Sequence, residues 1–200
     1  TSLLATLIGV LLGLCRVSRS LFQRLLGVTF VGLIRNTPPL VLVFIFYYFL
    51  SDQILPLLNL DEVLNKQPLI IQDLVGWVAA PPARINGFVS AVFTLSVYEG
   101  AYMAEIVRAG IRAIDKGQWE ASAALGFSRS RQMRYVILPQ AAQRMLPPMA
   151  GQFISTIKDS AIVSVISVQE LTFQGMELMA ATYLTFEVWI TITLLYFLLT

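Results

Sequence analysis

Histidine is absent from the chain, and cysteine occurs once, at Cys15 inside an apolar stretch. That inventory excludes metal centres built on His and Cys, histidine general bases and a disulfide framework. Cys15 itself reads as a small buried hydrophobe. Charge is scarce too: 13% of the residues are charged, where a soluble domain carries about 25%. A net charge of +2, spread beside apolar runs, gives no case for a nucleic-acid partner. The chain contains no Gly-Lys pair, so it has no phosphate-cradling P-loop.

What is abundant is apolar surface, 56% of the 200 residues. After Arg35 the run PPLVLVFIFYYFL proceeds without a charge, as a segment dissolved in lipid does. Five such segments stand out: Thr1 to Cys15, Pro38 to Leu55, Gly87 to Val107, Ala141 to Val168 and Ala180 to Thr200. A bilayer needs roughly 20 residues of helix, and the first segment is shorter while the last stops at YFLLT. The reading is an all-α membrane protein, one transmembrane domain over 1–200, of about five transmembrane helices and cut inside its first and last spans. Pro147 and Pro148 should break or kink the fourth span.

The connections alternate in charge. Arg16 to Arg35 holds four Arg and no acid, Ser51 to Arg84 two basic and four acidic residues, Arg108 to Arg144 seven and two, and Lys158 to Glu187 one and four. Basic residues near span ends stay on the cytoplasmic side, so the first and third connections are cytoplasmic. The N-terminal end then lies outside and the C-terminal end inside. Residues 51–84, with four prolines, form an extracytoplasmic loop carrying a short interfacial helix. The stretch RVSRSLFQRLLGVTFVGLIR interleaves Arg16, Arg19 and Arg24 with Leu and Phe, and suits a helix lying in the cytoplasmic interface.

The third connection contains GQWEASAALGFSRSRQMRYVILPQA, a small-residue, basic, Gly-punctuated stretch. Asp115 is placed to cap a helix over Gln118 to Leu125, Gly126 to end it in a left-handed turn, and Ser128 to cap a second helix that Pro139 closes or kinks. The first helix offers Ala121, Ser122, Ala123 and Ala124, small side chains that let another backbone approach closely.

Glu120, Ala121, Ser122, then Gly126, then Val136, Leu138 and Pro139 resemble the EAA loop of ATP-binding-cassette importer permeases, with Ser122 and Val136 standing where Ala and Ile are usual. RNTPPLV, YEGAYMAEIVRAGI and KDSAIVSVISVQEL resemble further segments of the polar amino acid uptake permeases. The resemblance implies a MetI-like permease core in a bacterial cytoplasmic (inner) membrane, with residues 115–139 as a cytoplasmic coupling loop. It implies that Gln118, Glu120, Ala121, Ser122 and Gly126 meet a cytoplasmic ATPase subunit, and that ATP and magnesium belong to that partner, with no cofactor in this chain. It also implies a second permease subunit, identical or not, an extracytoplasmic solute-binding protein, and an amino acid substrate moved by alternating access.

Ionised groups inside a bilayer cost roughly 2.5 to 3.5 kcal/mol at a helix centre, so Glu99, Glu105, Lys158 and Asp159 need a reason. Tyr98, Tyr102 and Glu105 share one helical stripe, a candidate polar wall of a substrate path, and Asp159 offers a second carboxylate for a cationic group. Pairing of Glu105 with Arg108 one turn on is the alternative. Two other classes compete: a channel or carrier that needs no ATP, which gives no reason for the EAA spacing, and an intramembrane enzyme, which lacks any nucleophile with a partnered base.

Overall fold

The computed structural model describes residues 1–200, with side chains described everywhere except at Ser51 and Asp52, the first two residues of the loop expected over 51–84. Helices are α1 (Ser2–Val17), α2 (Leu21–Asn36), α3 (Pro39–Phe49), α4 (Leu60–Asn65), α5 (Leu69–Val78), α6 (Ile85–Arg112), α7 (Lys116–Ala124), α8 (Arg129–Gln132), α9 (Leu138–Asp159), α10 (Leu171–Thr182) and α11 (Thr185–Leu199). Among the described residues there is no strand, so the fold is all-α. Among the described residues no single helix is both long and apolar enough to cross a membrane. α6 and α9 have the length, 28 and 22 residues, but carry polar and charged side chains along them, whereas α1 and α11 are apolar with 16 and 15 residues.

The chain divides into two units. One comprises Ser2–Asn36 and Ser96–Ser155, the other Thr37–Leu95 and Thr156–Thr200 with Thr1.

In the first unit, α1 lies on the second half of α6 along a seam of small residues. Ala5, Gly9 and Gly13 recur every fourth position, so they share one face of α1. A Cβ on Gly9 would collide with Met103 Cβ, and one on Gly13 would sit 2.6 Å from Val107 Cβ. From the other side, a Cβ on Gly100 would sit 2.7 Å from Ile8 Cγ2. Ala5, Met103 and Ala104 are fully buried in the seam. Between helices in lipid, where burying apolar area gains little, such close backbone approach supplies the packing energy. Gly9→Val should therefore push α1 off α6 at a cost of about 1–3 kcal/mol. A lowered thermal unfolding midpoint of the detergent-solubilised protein is the expected readout, and an unchanged midpoint would contradict the seam.

Below the seam, Val107 and Ile111 of α6 and Ile114 just after it meet Ile137, Ala141 and Met145, and Trp119, Met133 and Val136 pack against this core. Pro139 neither closes nor ends the helical path here. A π-turn over Met133–Ile137 links α8 to α9, and the wider turn leaves room for the proline ring at the start of α9. Pro147 and Pro148 likewise sit inside α9 rather than breaking it. Their missing N–H groups remove the donors for the carbonyls of Gln143 and Arg144, while the helix on either side continues. The regular winding gives way only after Asp159, to a 3-10 stretch Ser160–Ile166 that Ser167 ends at φ 60°.

In the second unit, Pro39 at the first turn of α3 and extended Pro38 before it set the helix start. Val43 of α3, Ala91 and Leu95 of α6, and Val163 and Ile166 form its core. α10 and α11 close on Gly175, where a Cβ would overlap Ile192 Cδ1. Glu170 caps α10 by accepting from Thr172 N at 2.8 Å and Phe173 N at 2.7 Å, and it also accepts from Tyr196 Oη at 3.0 Å. Tyr196 is thus a tie between two helices.

Candidate functional site

α7 is short and polar on average, so it stands by its caps rather than by burial. At its start Asp115 Oδ1 accepts from Gly117 N at 2.8 Å. At its end Gly126 N donates to Ala123 O at 2.9 Å and Phe127 N to Ser122 O at 3.1 Å. This is a Schellman closure, and it requires a left-handed residue, met by Gly126 at φ 78°. Asp115→Ala should cost about 1 kcal/mol of local stability. Faster hydrogen exchange at the amides of residues 117–119 is expected, with Asp115→Asn close to wild type.

Two side chains fasten α7 to its unit. Trp119, half-buried against the core of α6 and α9, carries the Arg129 guanidinium 3.5 Å above its ring centroid. Gln118 Oε1 accepts from Gln140 Nε2 at 3.2 Å, tying α7 to α9. The turn behind α7 is held by buried Gln132, whose Nε2 donates to Phe127 O at 3.1 Å. Gln118, Glu120, Ala121, Ala123 and Ala124 face outward, but Ser122 does not. It is 3% exposed, with its hydroxyl donating to Trp119 O at 3.0 Å, so the expected exposure of Ser122 is corrected: the helix turns this position inward. The outward face is a row of alanines flanked by Gln118 and Glu120.

On α6, Tyr98 and Tyr102 lie together, ring centroids 5.1 Å apart and edge to face, with hydroxyl oxygens 3.3 Å apart. Arg35 at the end of α2 lies 5.1 Å over the Tyr102 ring. One turn on, Glu105 gathers three guanidinium groups. Arg16 Nη1 stands 2.5 Å from Glu105 Oε2 and Arg35 Nη1 3.6 Å from the same oxygen. Arg108 Nε donates to Oε1 at 2.9 Å, and its Nη2 reaches the same oxygen. The Arg108 pair is local, three residues away, while Arg16 and Arg35 bring in α1 and α2. One carboxylate against three cations leaves the cluster positive.

Glu99, one residue past Tyr98, is fully buried and accepts from Gln152 Nε2 at 2.7 Å, a link from α6 to α9. Asp159 ends α9, half-buried, in the other unit; Lys158 beside it is exposed. The structure thus brings Tyr98, Tyr102 and Glu105 together, adds Arg35, and places Asp159 in the second unit. Among the described residues no group of three or more His, Cys, Asp or Glu side chains could hold a metal ion.

Residues 5–200 match the family described as binding-protein-dependent transport system inner membrane component. The chain belongs to that family. Among curated relatives of this permease chain, the glutamine transport system permease protein GlnP of Escherichia coli is 43% identical over 143 residues, 70% of this chain and 65% of that protein. The probable glutamine ABC transporter permease protein GlnM of Bacillus subtilis is 31% identical over 96% of this chain and 76% of its own length. The arginine transport system permease protein ArtQ of Bacillus subtilis is 38% identical over 69% of this chain and 64% of its own. A solved structure titled as an amino acid ABC transporter with histidines superposes with a TM-score of 0.72 at 34% identity, covering 99% of this chain and 81% of that one. The matched part of the permease chain therefore spans under two thirds of the length of the Escherichia coli relative. The family is one of transport components of the inner membrane, not of enzymes.

Proposed function

We propose that the chain is the membrane subunit of an ATP-driven importer that carries a polar amino acid inward by alternating access. The observation that carries this reading is α7: a helix capped at both ends, fastened through Trp119 and Gln140 to the helices behind it, and presenting Ala121, Ala123 and Ala124 outward. A stiff element on a firm base converts movement of a docked partner into movement of α6 and α9. The partner is a cytoplasmic ATPase, with Gln118, Glu120 and Ala121 as contacts, Gly126 as the turn, and Ser122 behind the contact face. The relatives are named for glutamine and arginine transport, which supports a substrate of the polar amino acid class.

The orientation follows from the basic residues: α7 and the C-terminal end inside, residues 51–84 outside facing a solute-binding protein. In the path, Tyr98 and Tyr102 form a polar wall and Asp159 meets the substrate's cationic group. Glu105 has its oxygens taken up by arginines, and contributes by holding Arg35 against Tyr102.

The docking face is tested by thiol cross-linking in a Cys15→Ser background. Ala123→Cys should cross-link to a cysteine in the ATPase, whereas Ser122→Cys, turned inward, should not. Equal cross-linking at both positions, or none at Ala123→Cys, would sink the proposed contact.

A further inference from the structure

Where α1 passes to α2 and α6 runs into α7, a pocket of about 420 Å³ is lined by Arg16, Arg24, Arg112, Lys116 and Arg129, against one carboxylate, Glu120. Trp119 adds an aromatic wall. Arg16 gives its Nη1 to Glu105, while its buried Nε has no partner. Among the described residues Arg24, Arg112, Lys116 and Arg129 form no ion pair. Burial pushes the Arg129 guanidinium below its ordinary value, and the charge of Arg19 adds to this. So many cations around one small space repel one another unless an anion sits among them. Guanidinium groups present paired N–H donors that match phosphate oxygens.

What the surface continues into decides the kind of phosphate. On either side of Arg24, α2 exposes Leu21, Phe22 and Leu25, with Phe22 at 74%. A soluble phosphate leaves these side chains in water. A phospholipid covers them with acyl chain while its headgroup enters the pocket, and a Trp beside basic residues is the usual furniture of the bilayer interface.

We propose that this pocket binds the phosphate of an anionic phospholipid of the inner leaflet, at the base of α7. The assignment rests on the reading of α7 as a cytoplasmic helix beside the membrane. It makes the lipid a structural part of the element that meets the ATPase, and implies that anionic lipid supports coupling.

The test uses the full-length protein with its ATPase, purified in detergent and examined by native mass spectrometry with added phosphatidylglycerol or phosphatidylcholine. Retention of phosphatidylglycerol in preference to phosphatidylcholine is expected, and Arg24→Gln with Arg112→Gln should weaken it roughly tenfold or more, while the double Lys variant retains it. Millimolar inorganic phosphate should not displace the lipid; displacement would assign the pocket to soluble phosphate and overturn the proposal. Equal retention of both lipids, or an unaffected double Gln variant, would also overturn it. Loss of ATPase co-purification with lipid retention intact would make the pocket a protein contact instead. Should the double variant fail to fold, a photoactivatable phosphatidylglycerol on the wild type must label peptides containing Arg24 or Trp119, and labelling elsewhere alone counts against the site. Lipid retention is read without transport, so its failure is separable from failure of the importer reading.

Discussion

Gly126→Val is expected to remove most ATP-driven uptake while leaving the chain inserted and folded. Nothing lies within 4 Å of where a Cβ would stand at Gly126, so space is not the obstacle. The obstacle is φ 78°, a conformation that costs an L side chain roughly 1–2 kcal/mol, most for a β-branched one. To escape it, the turn must open and give up the bonds from Gly126 N to Ala123 O and from Phe127 N to Ser122 O. Phe127 O in turn accepts from Gln132, so the disturbance reaches α8. α7 then keeps its residues but loses its fixed angle to α9. Gly126→Asn, which tolerates the left-handed region, should retain much of the uptake, and Gly126→Ala should fall between. Uptake by Gly126→Val equal to wild type, measured in proteoliposomes with the ATPase, would refute the lever.

Glu105→Gln should produce the largest loss of stability. The substitution keeps the shape of the side chain and removes the only negative charge that faces Arg16, Arg35 and Arg108 among the described residues. Breaking a buried pair costs roughly 3–5 kcal/mol. Because Glu105 is 25% and Arg35 40% exposed, screening reduces this, and about 2–3 kcal/mol is the expected cost. The effect is mutual repulsion as much as a lost bond, so Arg16→Gln added to Glu105→Gln should recover part of it. A double-mutant cycle read by thermal unfolding in detergent checks this. Strictly additive losses would mean that Arg16 and Glu105 do not act on one another.

α7 was legible in the sequence because its determinants are local. Asp115 and Gly126 act on backbone groups within a few residues of themselves, and cap chemistry does not depend on the rest of the fold. Likewise Arg108 is one turn from Glu105 on the same helix. Arg16 and Arg35 were not legible as its partners, because they reach Glu105 only once α1 and α2 are folded. The inward turn of Ser122 escaped notice for another reason: among four consecutive small residues, no contrast in hydrophobicity marks the buried side. Pro139, Pro147 and Pro148 read as ends, breaks or kinks, and of these the ends and breaks do not occur: a π-turn precedes Pro139 and α9 continues through the other two. The Ala5, Gly9, Gly13 spacing was present as a signal in the first apolar segment, and its meaning emerges with the partner face at Gly100 and Met103.

The most direct measurement takes the full-length protein with its ATPase and solute-binding protein in proteoliposomes and follows uptake of a labelled amino acid panel, with and without ATP. Accumulation of a polar subset against its gradient, only when ATP is present, is the expected result. Equilibration of the same solutes without ATP would contradict the importer and favour a channel.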